Sequence, residues 1–227
     1  DKKRTTELCN LLIDKNLKIT FEGGTRANLV RDDLIGLMAK AGLIRLSFGL
    51  ETVDEDMRKT MNKKVPLEAY ANANKICNKH GVEALNSCMI GLPGESRENI
   101  KKTLDFLSVS KDVKQANFSI ATPYPGTKLY EMAKNNQGIH LTIDDDFSQY
   151  KRYGQAGTEV GELSSDDLVE LQSSCFVSVY SKYWRWMPVL KKNGVVGLLL
   201  TFVRLINLII ASMRSQLVYP KRHPSLE

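Results

Sequence analysis

The sequence predicts an α/β fold built on a parallel sheet, and three observations predict it. From residue 17 to about residue 125, apolar residues switch repeatedly between the period of a strand and the period of a helix. The connections between these segments are short, as in the strand–helix repeats of a parallel sheet. Glycines, prolines and lone charges gather just after the strand-like runs, at the edge where parallel α/β folds bind ligands.

Each element follows from its residues. Leu17 to Glu22 alternates apolar and polar side chains and stops at Gly23-Gly24, which reads as a strand. Arg31 to Ala41 sets Leu34, Leu37 and Met38 on one helical face and closes at Gly42. Leu43 to Phe48 is the next strand, ended by Gly49. Two helices follow, Asp54 to Met61 and Pro66 to His80; the proline suits a first helical turn and Gly81 marks the stop. Val82 to Ile90 is the third strand and runs into Gly91-Leu92-Pro93-Gly94. A helix from Glu95 or Ser96 to Val109 leads to a fourth strand, Ala116 to Ala121, which ends in Pro123-Tyr124-Pro125-Gly126. Four strands cannot close a barrel, and parallel strands need both faces covered. The sheet is therefore either doubly wound or part of a barrel whose first strands lie upstream. At the opening, Leu8, Leu11 and Leu12 recur at helical spacing, with neither an initiator Met nor a signal peptide before them. The chain reads as a fragment that begins inside a helix.

Residues 1–134 form this α/β region. Residues 135–163 are polar and turn-rich and read as a linker, and residues 164–227 as a helical C-terminal extension. Within the linker, Asp144-Asp145-Asp146 lacks the alternate ligand spacing of a calcium loop and reads as a solvated turn. Ser164 to Asp167 caps a helix running from Leu168 to about Trp184.

Composition excludes several function classes. At 227 residues, with 42% hydrophobic and 26% charged side chains, the chain is neither collagen-like nor disordered. Cys9, Cys77, Cys88 and Cys175 form no C-x-x-C pair, so they make no zinc site or redox motif and read as reduced thiols of a cytoplasmic protein. The net charge of +6 is unevenly placed: residues 182–227 carry +7, leaving −1 for the rest. A nucleic-acid stripe across the main fold is disfavoured on that count, and no nucleic-acid partner is expected.

The basic tail surrounds an apolar segment. Val195 to Met213 holds twelve Leu, Ile, Val or Phe residues, interrupted by Thr201, Arg204 and Asn207. Trp184, Trp186, Lys191 and Lys192 precede it, and Arg214, Tyr219, Lys221 and Arg222 follow. A central Arg makes a membrane span marginal, whereas aromatic and basic flanks suit a helix lying in the interface. Three readings stay open: peripheral contact at the inner face of a membrane, burial against another domain, and a true span.

The residues at the strand ends carry the chemistry. Glu51, just past a strand, can accept hydrogen bonds from a ribose or an amino group, although a surface carboxylate is the commoner role. Arg26 sets a cation at the same edge, where a cap or an ion pair is the commoner role. The run Gly91 to Glu95 lets a backbone approach a ligand closely but lacks the Gly-Lys-Ser of a phosphate loop, and equally describes a tight turn.

Together these segments resemble the radical S-adenosylmethionine (SAM) superfamily, in the branch associated with a cobalamin-binding domain. The matching stretches are Gly24-Thr25-Arg26-Ala27-Asn28, then Ala41 through Thr52 (AGLIRLSFGLET), Met61-Asn62-Lys63 and His80-Gly81-Val82. They continue with Met89 through Glu95 (MIGLPGE) and Pro123 through Tyr130 (PYPGTKLY). Their order and spacing span about Lys2 to Tyr130. The resemblance implies a partial parallel (β/α)6 TIM-like barrel, represented here by its strands three to six. It implies that Arg26 and Glu51 line a SAM site and that Lys63 lies near the methionyl carboxylate. It places Ile90 and Gly91 beside the adenine, and Pro123 and Tyr124 against adenine or substrate. The implied cofactors are SAM, a [4Fe–4S] cluster and, in this branch, cobalamin.

One departure stands out. The family's Cys-x3-Cys-x2-Cys loop, whose thiolates hold the cluster, is absent from these residues. The expectation is a fragment, inactive alone, of an enzyme that cleaves SAM reductively with an electron donor and performs radical chemistry such as C-methylation. The substrate is expected to be a small or lipid-like molecule, and no catalytic residue is identified. The rival expectation is a non-catalytic half-barrel serving as a binding or membrane-docking scaffold.

Overall fold

A computed structural model describes residues 1–142, 150–187, 190, 194–197, 199, 200, 202, 203, 206 and 207. The chain divides into two compact units: Asp1–Ile90 with Arg97–Ser119, and Gly91–Ser96 with Ile120–Glu227.

The first unit follows the expected alternation: α1 (Lys2–Asp14), β1 (Phe21–Thr25), α2 (Asp32–Lys40), β2 (Leu43–Glu51), α3 (Glu55–Thr60), α4 (Leu67–Lys79), β3 (Glu83–Ile90), α5 (Arg97–Val109) and β4 (Gln115–Ile120), whose last residue falls in the second unit. The strands lie side by side in chain order, and β1 with β2 and β2 with β3 pair in parallel.

The first strand is displaced from its expected place. Residues 17–20 form no strand, and Leu17 and Ile19 stay exposed, while the Gly23-Gly24 read as a stop lies inside β1. The decision is tertiary: the ladder to β2 starts where Phe21 meets Leu43, and alternation alone does not set register.

The sheet has two unlike faces. Leu46, Phe48 and Leu50 of β2, Ala84, Asn86, Cys88 and Ile90 of β3, and Ala116 and Phe118 of β4 are buried. Helix α4 packs on that face, where the Asn74 and Asn86 amides exchange hydrogen bonds at 3.0 and 2.9 Å. Asn86 also donates to the Gln115 carbonyl at 3.1 Å, and Asn74 to that of Tyr70 at 2.8 Å. A buried polar pair with such partners fixes one register of helix on sheet. The opposite face is half-buried and mixes small or polar residues (Ser47, Gly49, Ser87, Asn117 and Ser119) with Leu85 and Met89.

The second unit contains α6 (Lys128–Lys134), β5 (His140–Leu141), β6 (Thr158–Glu159) and α7 (Ser165–Tyr180). The segment read as a linker is partly structured. Strands β5 and β6 pair antiparallel, and Ala133, Ile139 and Val160 form a small buried cluster with Leu129, Met132 and Leu141 around it. These apolar residues are too sparse to show a period, so only folding brings them together. Helix α7 starts at the expected cap, with Ser164 and Asp167 forming a reciprocal capping box. It ends earlier than expected, at Tyr180, because Arg185 and Trp186 fold back and donate to the carbonyls of Val179 and Tyr180. The described residues between 194 and 207 are helical, and none of the described helices is long and apolar enough to cross a membrane. The Asp144–Asp146 run lies outside the described residues, as do Lys191, Lys192, Thr201, Arg204 and all residues beyond 207.

Candidate functional site

In the first unit, the site grows from an irregularity at the carboxyl end of β2. The pairing of β2 with β3 slips between Gly49 and Glu51, so Glu51 rather than Leu50 stands opposite Cys88. This bulge places Glu51 at φ 63, a left-handed conformation that a non-glycine residue holds only when its surroundings impose it. Two contacts impose it here. The buried Tyr70 hydroxyl on α4 donates to the Gly49 carbonyl at 2.9 Å, and the Thr52 amide turns back to the Leu50 carbonyl at 2.9 Å. Burial pushes the Tyr70 phenol above its ordinary pKa, so it remains a donor.

The bulge aims Glu51 at Lys63. Helix α3 stops where Asn62 takes a left-handed turn at φ 52 and the Lys63 amide bonds the Arg58 carbonyl at 2.8 Å. The Lys63 Nζ then lies 3.3 Å from Glu51 Oε1, with side chains 24% and 20% exposed. The structure thus brings together two of the expected site residues.

The loop between them is anchored at its base. Asp54 caps α3, accepting from the Asp56 and Met57 amides at 3.2 and 3.1 Å, and takes Lys102 Nζ at 2.8 Å. Lys102, followed by the α3 amides and Asn99, holds the Asp54 carboxyl at about 2 against an ordinary 3.8, in spite of burial. A depressed carboxylate stabilises the fold above its unfolded pKa and loses that contribution as the pH falls through its folded one. Thermal melts should therefore show an acid loss between about pH 4 and pH 2 that Asp54→Asn removes, and Asp54→Ala should cost about 1–2 kcal/mol at neutral pH. An Asp54→Asn protein with the same acid profile as the parent would refute this anchor.

Arg26 follows β1 directly and is exposed, and among the described residues its guanidinium makes no ion pair. The contrast with Arg45, at the opposite end of the strands, is informative. Arg45 is held by Glu83 at 2.9 Å and Glu22 at 2.8 Å. Ile90 is 2% exposed on the helix-packed face, which leaves only its backbone for ligand contact.

In the second unit, the run Gly91 to Glu95 is a closed turn. Gly91 and Gly94 adopt φ 79 and φ 76, values that side chains resist. A Cβ on Gly91 would lie 3.2 Å from Leu168. The Glu95 carboxylate is buried and folds back to accept from the Gly91 and Leu92 amides at 2.7 and 3.2 Å. Glu95 therefore braces the turn rather than facing a ligand. Pro123 is buried, while Tyr124 is 44% exposed, its ring 6.0 Å from that of Tyr150 and its hydroxyl 3.4 Å from the Tyr150 carbonyl. Thr127 caps α6 and donates to the Tyr124 carbonyl at 2.6 Å.

Sequence reasoning missed Tyr70, Arg58 and Glu95. Tyr70, Asn74 and Cys77 recur at helical spacing and form part of the buried stripe of α4, and two polar groups in such a stripe were the available signal.

The residues fit some of the implied cofactors and not others. A Glu51–Lys63 pair suits a zwitterionic amino-acid group, with the carboxylate facing an ammonium and the ammonium a carboxylate. The cysteines do not fit a cluster. All four are buried on different segments, and burial pushes Cys77 to about 11 and Cys175 to about 12. No three His, Cys, Asp or Glu side chains among the described residues could hold a metal.

Residues 1–107 match the radical SAM superfamily. An uncharacterized methyltransferase of Pyrococcus horikoshii is 27% identical over 180 residues, covering 79% of this chain and 38% of the relative. The anaerobic magnesium-protoporphyrin IX monomethyl ester cyclase of Rubrivivax gelatinosus is 27% identical over 132 residues, covering 57% and 24%. The chain thus spans well under half the length of either relative. The fold is shared with the radical SAM methyltransferase TsrM of Kitasatospora setae, solved with cobalamin and a [4Fe–4S] cluster bound: TM-score 0.52, 16% identity, 62% of this chain and 30% of that one. The matched stretch runs from α1 into α5, and over these residues the chain is similar to the radical SAM superfamily.

Proposed function

We propose that this chain is the SAM-binding part of a larger enzyme, and that Glu51 and Lys63 hold the amino-acid end of SAM. The pair at 3.3 Å carries the proposal. Without ligand the two charges satisfy each other; a bound methionyl group would replace one ion pair by two, its ammonium on Glu51 and its carboxylate on Lys63. Arg26, exposed at the same sheet edge, is the further cation of the site. Gly91, Pro123 and Tyr124 are proposed as the adenine wall, with backbone and apolar surface offered to a purine. The sheet is proposed as an arc of a (β/α)6 barrel whose half-buried face, with Ser47 and Ser87, is the inner one.

Radical SAM enzymes use SAM and a [4Fe–4S] cluster, which supplies the electron for SAM cleavage. Because the residues here hold no cluster, the part assigned to them is to bind and orient SAM. Methyl transfer is the proposed outcome for the larger enzyme, supported by the Pyrococcus relative, and cobalamin the proposed methyl carrier, supported by the sequence resemblance to the cobalamin-associated branch. Calorimetric titration of the intact protein under non-reducing conditions tests the site. SAM should bind at least about tenfold more tightly than 5′-methylthioadenosine, which lacks the amino-acid group. Equal affinities would remove Glu51 and Lys63 from the assignment.

A membrane-surface role with a lipid-like substrate is a second reading, favoured by one observation. Val195, Leu199, Val203 and Ile206 recur at helical spacing and are each at least half exposed, beside exposed Val196 and Leu200. In a segment of net charge +7, such a stripe suits an anionic bilayer. Replacing Leu199, Val203 and Ile206 with Ser should reduce co-sedimentation with phosphatidylserine vesicles; unaltered binding, or none by the parent, would reject this reading.

A further inference from the structure

We infer that Tyr70 and Arg58 are the positioning residues of the amino-acid pair, acting through the backbone of the two loops that carry Glu51 and Lys63; this rests on the SAM reading above. Tyr70 is 1% exposed and Arg58 7% exposed, so both are buried beneath the site. The Tyr70 hydroxyl holds the Gly49 carbonyl, on the near side of the bulge. The Arg58 guanidinium holds the Thr52 carbonyl at 3.1 Å, on the far side, and with its other arm the carbonyl of Val65, beyond Lys63. It also lies 5.9 Å from the centre of the Tyr70 ring, so the two side chains form one unit.

Three features separate this arrangement from ordinary core packing. Burying a guanidinium without a carboxylate is unfavourable, yet Arg58 forms no salt bridge among the described residues and gives its donors to two loop carbonyls. Those carbonyls flank both members of the Glu51–Lys63 pair. Between the Gly49 carbonyl held by Tyr70 and the Thr52 carbonyl held by Arg58 sits the left-handed Glu51, the conformation that needs external support. Neither side chain need touch the ligand: together they hold the 3.3 Å spacing before it arrives, which lowers the ordering cost of binding.

A double-mutant cycle in the intact protein tests this, read by calorimetry with SAM and with 5′-methylthioadenosine, alongside thermal melts. Tyr70→Phe keeps the ring and removes the donor; SAM affinity should fall about fivefold, the worth of one hydrogen bond, with 5′-methylthioadenosine unaffected. In a Glu51→Ala background the same change should lower SAM affinity by less than about twofold, because the group it positions is gone. Its effect on the melting temperature should be alike in both backgrounds. Arg58→Lys, which keeps the charge but cannot span two carbonyls, should behave as Tyr70→Phe does. Equal losses of SAM affinity in both backgrounds, a parallel loss for 5′-methylthioadenosine, or no loss at all would overturn the inference. If Glu51→Ala itself leaves SAM affinity intact, the SAM reading fails first and this inference with it. A loss with Glu51→Ala but none with Tyr70→Phe would refute the positioning role alone.

Discussion

Glu51→Ala is expected to lower the affinity of the intact protein for SAM by about 10- to 100-fold, corresponding to a charge-assisted hydrogen bond of about 1.5–3 kcal/mol. The fold should be nearly indifferent. The Glu51–Lys63 pair is partly exposed, and such pairs contribute about 0–1 kcal/mol to stability. Alanine also keeps the left-handed strain at φ 63 unchanged. Glycine at this position is a sharper probe, since it relieves that strain. Glu51→Gly should lose the same affinity while gaining about 1 kcal/mol of stability. Opposite movements of affinity and stability mark a residue kept for function rather than for folding. Titration calorimetry and thermal melts on the two variants decide the matter. SAM affinity within about twofold of the parent in both would remove Glu51 from the site.

Glu95→Ala should have the largest effect on stability, a loss of about 3 kcal/mol or roughly 6–12 °C in melting temperature. Its carboxylate is 3% exposed and receives two backbone amides at 2.7 and 3.2 Å. Removing it strands the Gly91 and Leu92 amides in a buried turn, where each unmade hydrogen bond is costly. Glu95→Gln keeps an oxygen acceptor in place and should lose only about 1 kcal/mol. Hydrogen exchange gives the local readout, since the Gly91 and Leu92 amides should lose protection ahead of the sheet. A stability loss under about 1 kcal/mol for the alanine variant would mean that the turn is held by its glycines and Pro93 alone. The outcome bears on function because Gly91 is a proposed adenine contact whose position depends on this brace.

Much of the first unit was legible because local chemistry and tertiary demand agree there. Leu34, Leu37 and Met38 repeat at helical spacing, and Pro66 precedes α4 at its N-cap. Leu46 and Phe48 alternate along the strand read as Leu43 to Phe48, which in the fold runs on through Gly49 to Glu51. Lys63 was legible only through the Met61-Asn62-Lys63 resemblance, since twelve residues separate it from Glu51 and no local pattern joins them. The cluster of Ala133, Ile139 and Val160 was not legible at all, because sparse apolar residues carry no period.

The sequence by itself determined the order of strands and helices in the first unit and the similarity to the radical SAM superfamily. These depend on residue type and on spacing along the chain, which folding does not alter. Tertiary structure alone decided three other things. It moved the first strand from Leu17–Glu22 to Phe21–Thr25, because strand register is a property of two strands at once. It folded the Glu95 carboxylate back as a brace of its own turn, because a buried carboxylate binds whichever donors the turn brings within reach. It brought Glu51 to Lys63 by way of Tyr70 and Arg58, because a left-handed residue on a bulge persists only when side chains distant in sequence hold the backbone around it.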